Sequence, residues 1–241
     1  MKPLIALLSV VALTTVAGTV PTSAEPLLGQ VDTFEDGTTQ GWTVNLVGTG
    51  IHPAPPGVVS GGQGGVDDNY LLLTALGGDR NGSRLAVANL DSRWTGDFIA
   101  AGITAIRMDV INLGNTDLYL RFGFEDPRGG PPENIAFTEH AFVAAGGGWQ
   151  TIQFLTTAAA LTAALGDIET AITTTTAVRL YHSREPNFPN PVFPIPSITT
   201  QLGVDNISAV LADVPEPATV SLWAAGAALV WVRRRRTRLH G

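Results

Sequence analysis

Ile103-Thr-Ala-Ile-Arg-Met-Asp-Val-Ile111 and Asp117-Leu-Tyr-Leu-Arg-Phe-Gly-Phe-Glu125 decide the fold. In the first stretch Ile106, Met108 and Val110 alternate with Ala105, Arg107, Asp109 and Ile111. In the second, Leu118, Leu120, Phe122 and Phe124 alternate with Tyr119, Arg121 and Gly123. Neighbouring side chains of a strand point to opposite faces, so a two-residue period reads as a half-buried strand. Asn112-Leu-Gly-Asn-Thr116 lies between them and holds the Gly and Asn that tolerate positive φ, which predicts a β-hairpin. In such a hairpin Arg107 would lie opposite Arg121 and Asp109 opposite Tyr119, with Glu125 further along.

The same period extends outward. Strands are expected at Val31–Glu35, Tyr70–Leu76, Arg84–Asn89, Trp149–Leu155, Ala177–His182 and Gly203–Leu211. Alanine-rich Thr157 to Ile172 has room for one short helix, and the β-branched run Thr173 to Thr176 should end it. Three long loops stand out: His52–Asn69, Asp126–Asn134 and Ser183–Gln201. Many strands, little helix and long turns point to an all-β protein, a two-sheet antiparallel sandwich over residues 25–213. Trp42, Trp94 and Trp149 each abut a strand start and read as core.

Composition narrows the function. The chain has 241 residues and no Cys, which excludes disulfide staples, thiol catalysis and cysteine-ligated metal. Residues 25–213 carry eight Arg, no Lys and 20 acids, a net of −12, which disfavours nucleic acid as a partner. Five of the 14 basic residues are instead gathered in the last nine positions.

Both ends read as addresses. Residues 1–24 combine Lys2, an apolar run from Leu4 to Ala17 and a small-residue exit at Thr22-Ser23-Ala24, the pattern of a signal peptide, cut after Ala24 or alternatively after Ala17. Residues 214–241 hold Pro215-Glu216-Pro217, an apolar segment to Val232, and Arg233 to Arg236 with Arg238. A helix from Ala218 to Val232 would rise ~22 Å, short of the ~30 Å hydrocarbon core, so it is a hydrophobic helix that fits a bilayer poorly. The arginines should stay cytoplasmic and leave the body outside.

This tail resembles the PEP-CTERM sorting signal of Gram-negative bacteria, which the membrane transpeptidase exosortase processes. The resemblance implies that exosortase reads Pro215, Glu216 and Pro217 and that the tail is removed. The protein would pass through an inner-membrane-anchored stage to the cell surface or extracellular matrix. A permanent membrane anchor is the plainer alternative, and it too exports the body.

A second resemblance lies in the body. Asp32-Thr-Phe-Glu-Asp-Gly37, Gly41-Trp42, Trp149 before a strand and Gly203-Val-Asp-Asn-Ile207 are similar to the jelly-roll family that includes many carbohydrate-binding modules. Trp94 to Val110 also resembles the sandwich bodies of other exported PEP-CTERM proteins. The family likeness implies a structural calcium ion shared by the first and last strands, with Glu35 and Asp205 at the matching positions. On the plainer view Asp36-Gly37 is a turn and Asp205 a solvated strand residue.

Catalytic patterns are sparse. Gly82-Ser83 and Val59-Ser60-Gly61 fall short of a nucleophile turn, and Gly61 to Gly65 lacks the Lys-Ser/Thr of a phosphate loop. His52, His140 and His182 lie far apart, without metal-ligand spacing, and His182 reads as a strand-end histidine bonded to backbone. Two-carboxylate glycoside hydrolysis needs only acids, so Glu125, Glu133 and Glu139 keep a glycosidase as the enzyme alternative. Arg107, Tyr119, Arg121, Arg179 and Tyr181 fall on the outward phase and form the candidate ligand face for polysaccharide; a solvated face screened by Asp109 and Glu125 is the alternative. The chain therefore reads as an exported, non-catalytic surface protein serving structure or adhesion, with polysaccharide as its candidate ligand.

Overall fold

A computed structural model describes residues 26–44, 53–79, 82–126, 132–183 and 196–212. In chain order the strands are β1 (Val31–Asp32), β2 (Trp42–Thr43), β3 (Gly57–Gly62), β4 (Gly65–Leu76), β5 (Ala86–Asn89), β6 (Ala105–Asn112), β7 (Leu118–Asp126), β8 (Asn134–Thr138), β9 (Ala141–Val143), β10 (Gln150–Leu155), β11 (Leu161–Leu165), β12 (Ala177–Ser183) and β13 (Thr199–Val210). Helix α1 (Ile168–Thr173) sits between β11 and β12. Among the described residues these strands make two antiparallel sheets. The first runs β10-β6-β13-β4-β3 with β1 on β13, and the second β11-β8-β7-β12-β5-β2 with β9 on β7. The expected signal helix and tail helix lie outside the described residues.

The two deciding stretches are both strands, yet they do not form a hairpin. β6 pairs with β10 and β13 in the first sheet, and β7 with β8, β9 and β12 in the second. Residues 113–117 carry the chain across the sandwich instead. The reason lies in the apolar rows: side by side in one sheet they would leave each other uncovered, whereas on opposite sheets each row covers the other. Ile106, Met108, Val110, Leu118, Leu120, Phe122 and Phe124 are all fully buried. Asn112 closes the crossing, donating from Nδ2 to the Thr116 and Val143 carbonyls and accepting at Oδ1 from the Gly114 N–H and the Thr200 hydroxyl. Arg107 consequently lies beside Gln153 and Ser208, not Arg121, and Asp109 beside Thr151 and Asp205, not Tyr119.

Other expectations shift in extent. The His52–Asn69 loop is largely the hairpin of β3 and β4, whose backbone ladder needs no side-chain alternation; Asp68 Oδ2 closes its tip by accepting from the Gly64 N–H at 2.6 Å. The alanine-rich stretch holds strand β11 as well as the expected short helix, which is the single turn-and-a-half of α1, capped by Asp167 and ending at Thr173 as the threonine run requires. The first strand stops at Asp32.

A chain of aromatic rings fills the core, from Trp94 through Trp42 and Phe122 to Phe154, Phe124 and Phe98, at centroid spacings of 5.0–6.4 Å. One buried carboxylate anchors its end. Asp32 Oδ2 accepts from the indole N–H of Trp42 and of Trp94, each at 2.8 Å, and Arg93 stands 3.0 Å from Oδ1. Burial raises the Asp32 pKa, while the two indoles and the guanidinium pull it back down. Removing this acceptor strands two buried N–H donors. Asp32→Ala should therefore lower unfolding stability by about 3 kcal/mol in a denaturant titration, and Asp32→Asn, which keeps an acceptor oxygen, by less.

Candidate functional site

The outer face of the second sheet holds four of the five candidate ligand residues, and three of them are enclosed. Arg121 faces Tyr181 across β7 and β12, and Arg179 faces Gly123; Arg121, Arg179 and Tyr181 are 3%, 6% and 5% exposed. Arg121 donates to the Thr138 carbonyl at 2.7 Å and to the Ser183 hydroxyl at 3.3 Å, with its guanidinium over the Phe137 ring. Arg179 pairs with Glu125 at 2.9 Å. Alternation correctly assigns these side chains to the outward phase, but it carries no information about what lies over that face. Arg121 and the Arg179 terminal nitrogen are thus bonded inside the protein, and Arg107 sits on the other sheet. The five residues do not make one surface.

Tyr119 does reach solvent, in company the sequence reading did not assemble. Its ring lies 5.4 Å from His140 and 5.5 Å from Phe142, and Phe142 is 49% exposed. The juxtaposition comes from β9, a three-residue strand too short to show a period, which brings Phe142 opposite Tyr119. Beneath them His182 is buried and its Nδ1 accepts from the Tyr119 N–H at 3.1 Å, a backbone-bonded histidine as read from the sequence.

The residues matched to calcium lie on the first sheet, Asp205 in its central strand β13 and Glu35 just past β1. The Asn69 N–H donates to Glu35 Oε1 at 3.0 Å, tying the β1 end to β4. Asp205 is buried in β13, and burial, then the charges of Asp68, Asp109 and Glu35, push its carboxyl up to about 7 against the opposing Asn206 N–H. Carboxylate and backbone oxygens are the donors that suit a hard cation. Among the described residues, however, no group of three or more acidic or histidine side chains stands close enough to hold an ion.

Pro215, Glu216 and Pro217 lie outside the described residues. Their stretch is nonetheless recognised: residues 213–236 match the PEP-CTERM protein-sorting motif. No curated protein matches the chain. Among solved structures the chain is similar to the family 11 carbohydrate-binding module from Clostridium thermocellum in complex with a β-1,3-1,4-mixed-linked tetrasaccharide, at 13% identity over 77% of this chain and 97% of that one, TM-score 0.47. It is similar to CBM27-1 of Caldicellulosiruptor saccharolyticus in complex with mannohexaose at 13% identity, 78% and 100% coverage, TM-score 0.44. An exo-β-agarase matches at 10% identity and TM-score 0.50 over 79% of this chain; the chain spans 26% of that enzyme's length. Likeness at such identities concerns the fold. The chain thus carries a PEP-CTERM sorting motif, which marks export and surface sorting, behind a jelly-roll sandwich whose structural neighbours are carbohydrate-binding modules. Among the described residues no helix is long and apolar enough to cross a membrane.

Burial lowers the His182 pKa from 6.5 to about 4. The unfolded chain then binds a proton more readily than the fold between those values, so the stability drawn from neutral His182 is complete above pH 6.5 and is lost as pH falls toward 4. Melting temperature measured against pH should fall across that window, and His182→Gln should flatten the fall.

Proposed function

We propose that the chain is an exported, non-catalytic surface protein that exosortase separates from its tail and that binds polysaccharide through the Tyr119–His140–Phe142 surface. The observation that carries the binding half is this exposed aromatic cluster on a rigid floor. Sugar rings present apolar C–H faces that stack on aromatic side chains, and a floor whose arginines are already hydrogen-bonded keeps the cluster in place without reorganisation. Arg121, Arg179 and Tyr181 act in this reading as that floor. The non-catalytic half is supported by Glu125, an acid of the glycosidase alternative, being spent on Arg179 at 2.9 Å. The delivery half is supported by the sorting motif over residues 213–236; in this reading the route runs through the inner membrane of a Gram-negative cell to the surface or matrix.

The reading includes a structural calcium ion on Glu35 and Asp205, whose remaining ligands fall to backbone carbonyls and water. What supports it is that Glu35 and Asp205 lie near enough for the Glu35 charge to act on the Asp205 carboxyl.

Three measurements test these parts. Glu216→Ala should leave the tail attached, seen as the uncleaved mass in intact-protein spectrometry of exported material; normal trimming of that variant would defeat the sorting role. Phe142→Ala should weaken retention of the protein in polysaccharide-containing gels about fivefold, the loss of ~1 kcal/mol of stacking. Calcium should raise the melting temperature of the parent chain and not of Asp205→Asn, and an unchanged melting curve would remove the ion from the account.

A further inference from the structure

The first sheet ends in an apolar rim that the reading above does not use. Leu27, Leu28, Val31, Val66, Leu155 and Leu211 are between 43% and 83% exposed. Register gathers them at one end: Leu155, Ala105 and Val210 stand abreast on β10, β6 and β13, and residues 29–32 run along the other flank of β13. Gln63, at the tip of the β3–β4 hairpin, lines one groove with Gly29, Val31 and Val210, which brings Val66 to the same end. Of the eleven large apolar side chains exposed among the described residues, only Leu76, Leu113 and Phe142 lie at the opposite end. Toward that end Trp149, expected in the core, is half-buried against Tyr70 at a centroid distance of 5.3 Å; the three glycines before it, Gly146 to Gly148, supply no side chains to cover it.

Both chain ends leave through this rim, and the exit toward the tail is held. The Gly29 N–H donates to the Ala209 carbonyl at 2.7 Å, the Ala209 N–H to the Gln30 carbonyl at 3.2 Å, and the Ala212 N–H to the Thr104 hydroxyl at 2.7 Å. Chain length then limits how far the rim can stand from a bilayer. The expected tail helix rises ~22 Å, so with Arg233 to Arg236 at the cytoplasmic face Ala218 stops ~8 Å below the outer edge of a ~30 Å hydrocarbon core. Ala218 is six residues beyond Ala212. Those residues span at most ~21 Å fully extended, which leaves Ala212 no more than ~13 Å above that edge. The headgroup layer occupies ~5–7 Å of the gap. Leu211 and its neighbours are thereby brought to the membrane surface.

We propose that this rim docks on the outer surface of the phospholipid bilayer while the tail is attached, seating the sandwich end-on and keeping Glu216 at the lipid boundary. The proposal rests on the anchored stage of the delivery reading and adds a contact made by the folded domain itself. A cluster of exposed leucines and valines gains by entering the interface, where it leaves water. Charge does not drive the contact: residues 25–213 hold no Lys and carry a net of −12, so anionic headgroups offer them no attraction. Uncharged phosphatidylcholine suffices, and salt leaves the contact unchanged.

The chain has no cysteine, so a single Cys substitution places a fluorescent label at one point. Full chain labelled through Leu155→Cys, Leu113→Cys or Ala224→Cys is reconstituted into phosphatidylcholine vesicles in which part of the lipid bears a doxyl quencher. The expected result is strong quenching at 224, quenching at 155 about threefold stronger than at 113, and the same pattern at high salt. Leu28→Asp together with Leu211→Asp should abolish the quenching at 155 and leave that at 224. Both are surface side chains, and Leu211→Ser alone serves if the pair loses its circular dichroism. Quenching at 224 with none at 155, or with equal quenching at 155 and 113, overturns the docking and leaves the anchored stage standing. Quenching at 155 that survives the aspartates marks mere tethering and also overturns it. A label at 155 shielded from aqueous iodide but untouched by doxyl lipid would make the tail or a second copy the occupant, against the proposal. No quenching at 224 removes the anchored stage and the docking with it.

Discussion

The sandwich depends on two apolar rows pressed against each other, Ile106, Met108 and Val110 from one sheet and Leu118, Leu120, Phe122 and Phe124 from the other. They are close neighbours in sequence, yet they end up on opposite walls because only there does each remove the other from water. The crossing needs just residues 113–117 and one well-satisfied asparagine. Everything laid on either sheet inherits its orientation from that choice. Arg107 and Arg121, which a hairpin would have made neighbours, lie on the outer faces of opposite sheets.

This explains which parts of the fold could be read from the chain. Alternation in 103–125 marks strands and their core-facing sides correctly, since the face a side chain takes depends on its phase. Partner choice does not follow from phase, and a Gly/Asn-bearing link serves a hairpin or a crossing equally well. The β3–β4 hairpin escaped for a related reason: Gly57, Ser60 and Gly62 pair through backbone, and no side-chain rhythm reports it. Strand β11 was hidden because alanine is compatible with both helix and strand.

The surface was less legible than the core. Outward phase predicts which side chains leave the sheet but not what lies over them, and Arg121, Arg179 and Tyr181 are enclosed. The aromatics that reach the surface, Tyr119 with Phe142 and half-buried Tyr70 with Trp149, come from segments distant in sequence, joined by register that no local pattern encodes. The tail is the opposite case: its meaning resides in linear order, and there the sequence alone suffices.

Asp32 has a consequence beyond holding the core end together. Both indoles that bond it are dry and sit beside a carboxylate, whereas Trp149 borders solvent. The emission colour of Trp42 and Trp94 is thereby coupled to the seating of a two-residue strand at the start of the domain. The protein carries its own optical gauge: a red shift at low denaturant would announce that its leading edge has peeled away while the sheets behind it are still intact.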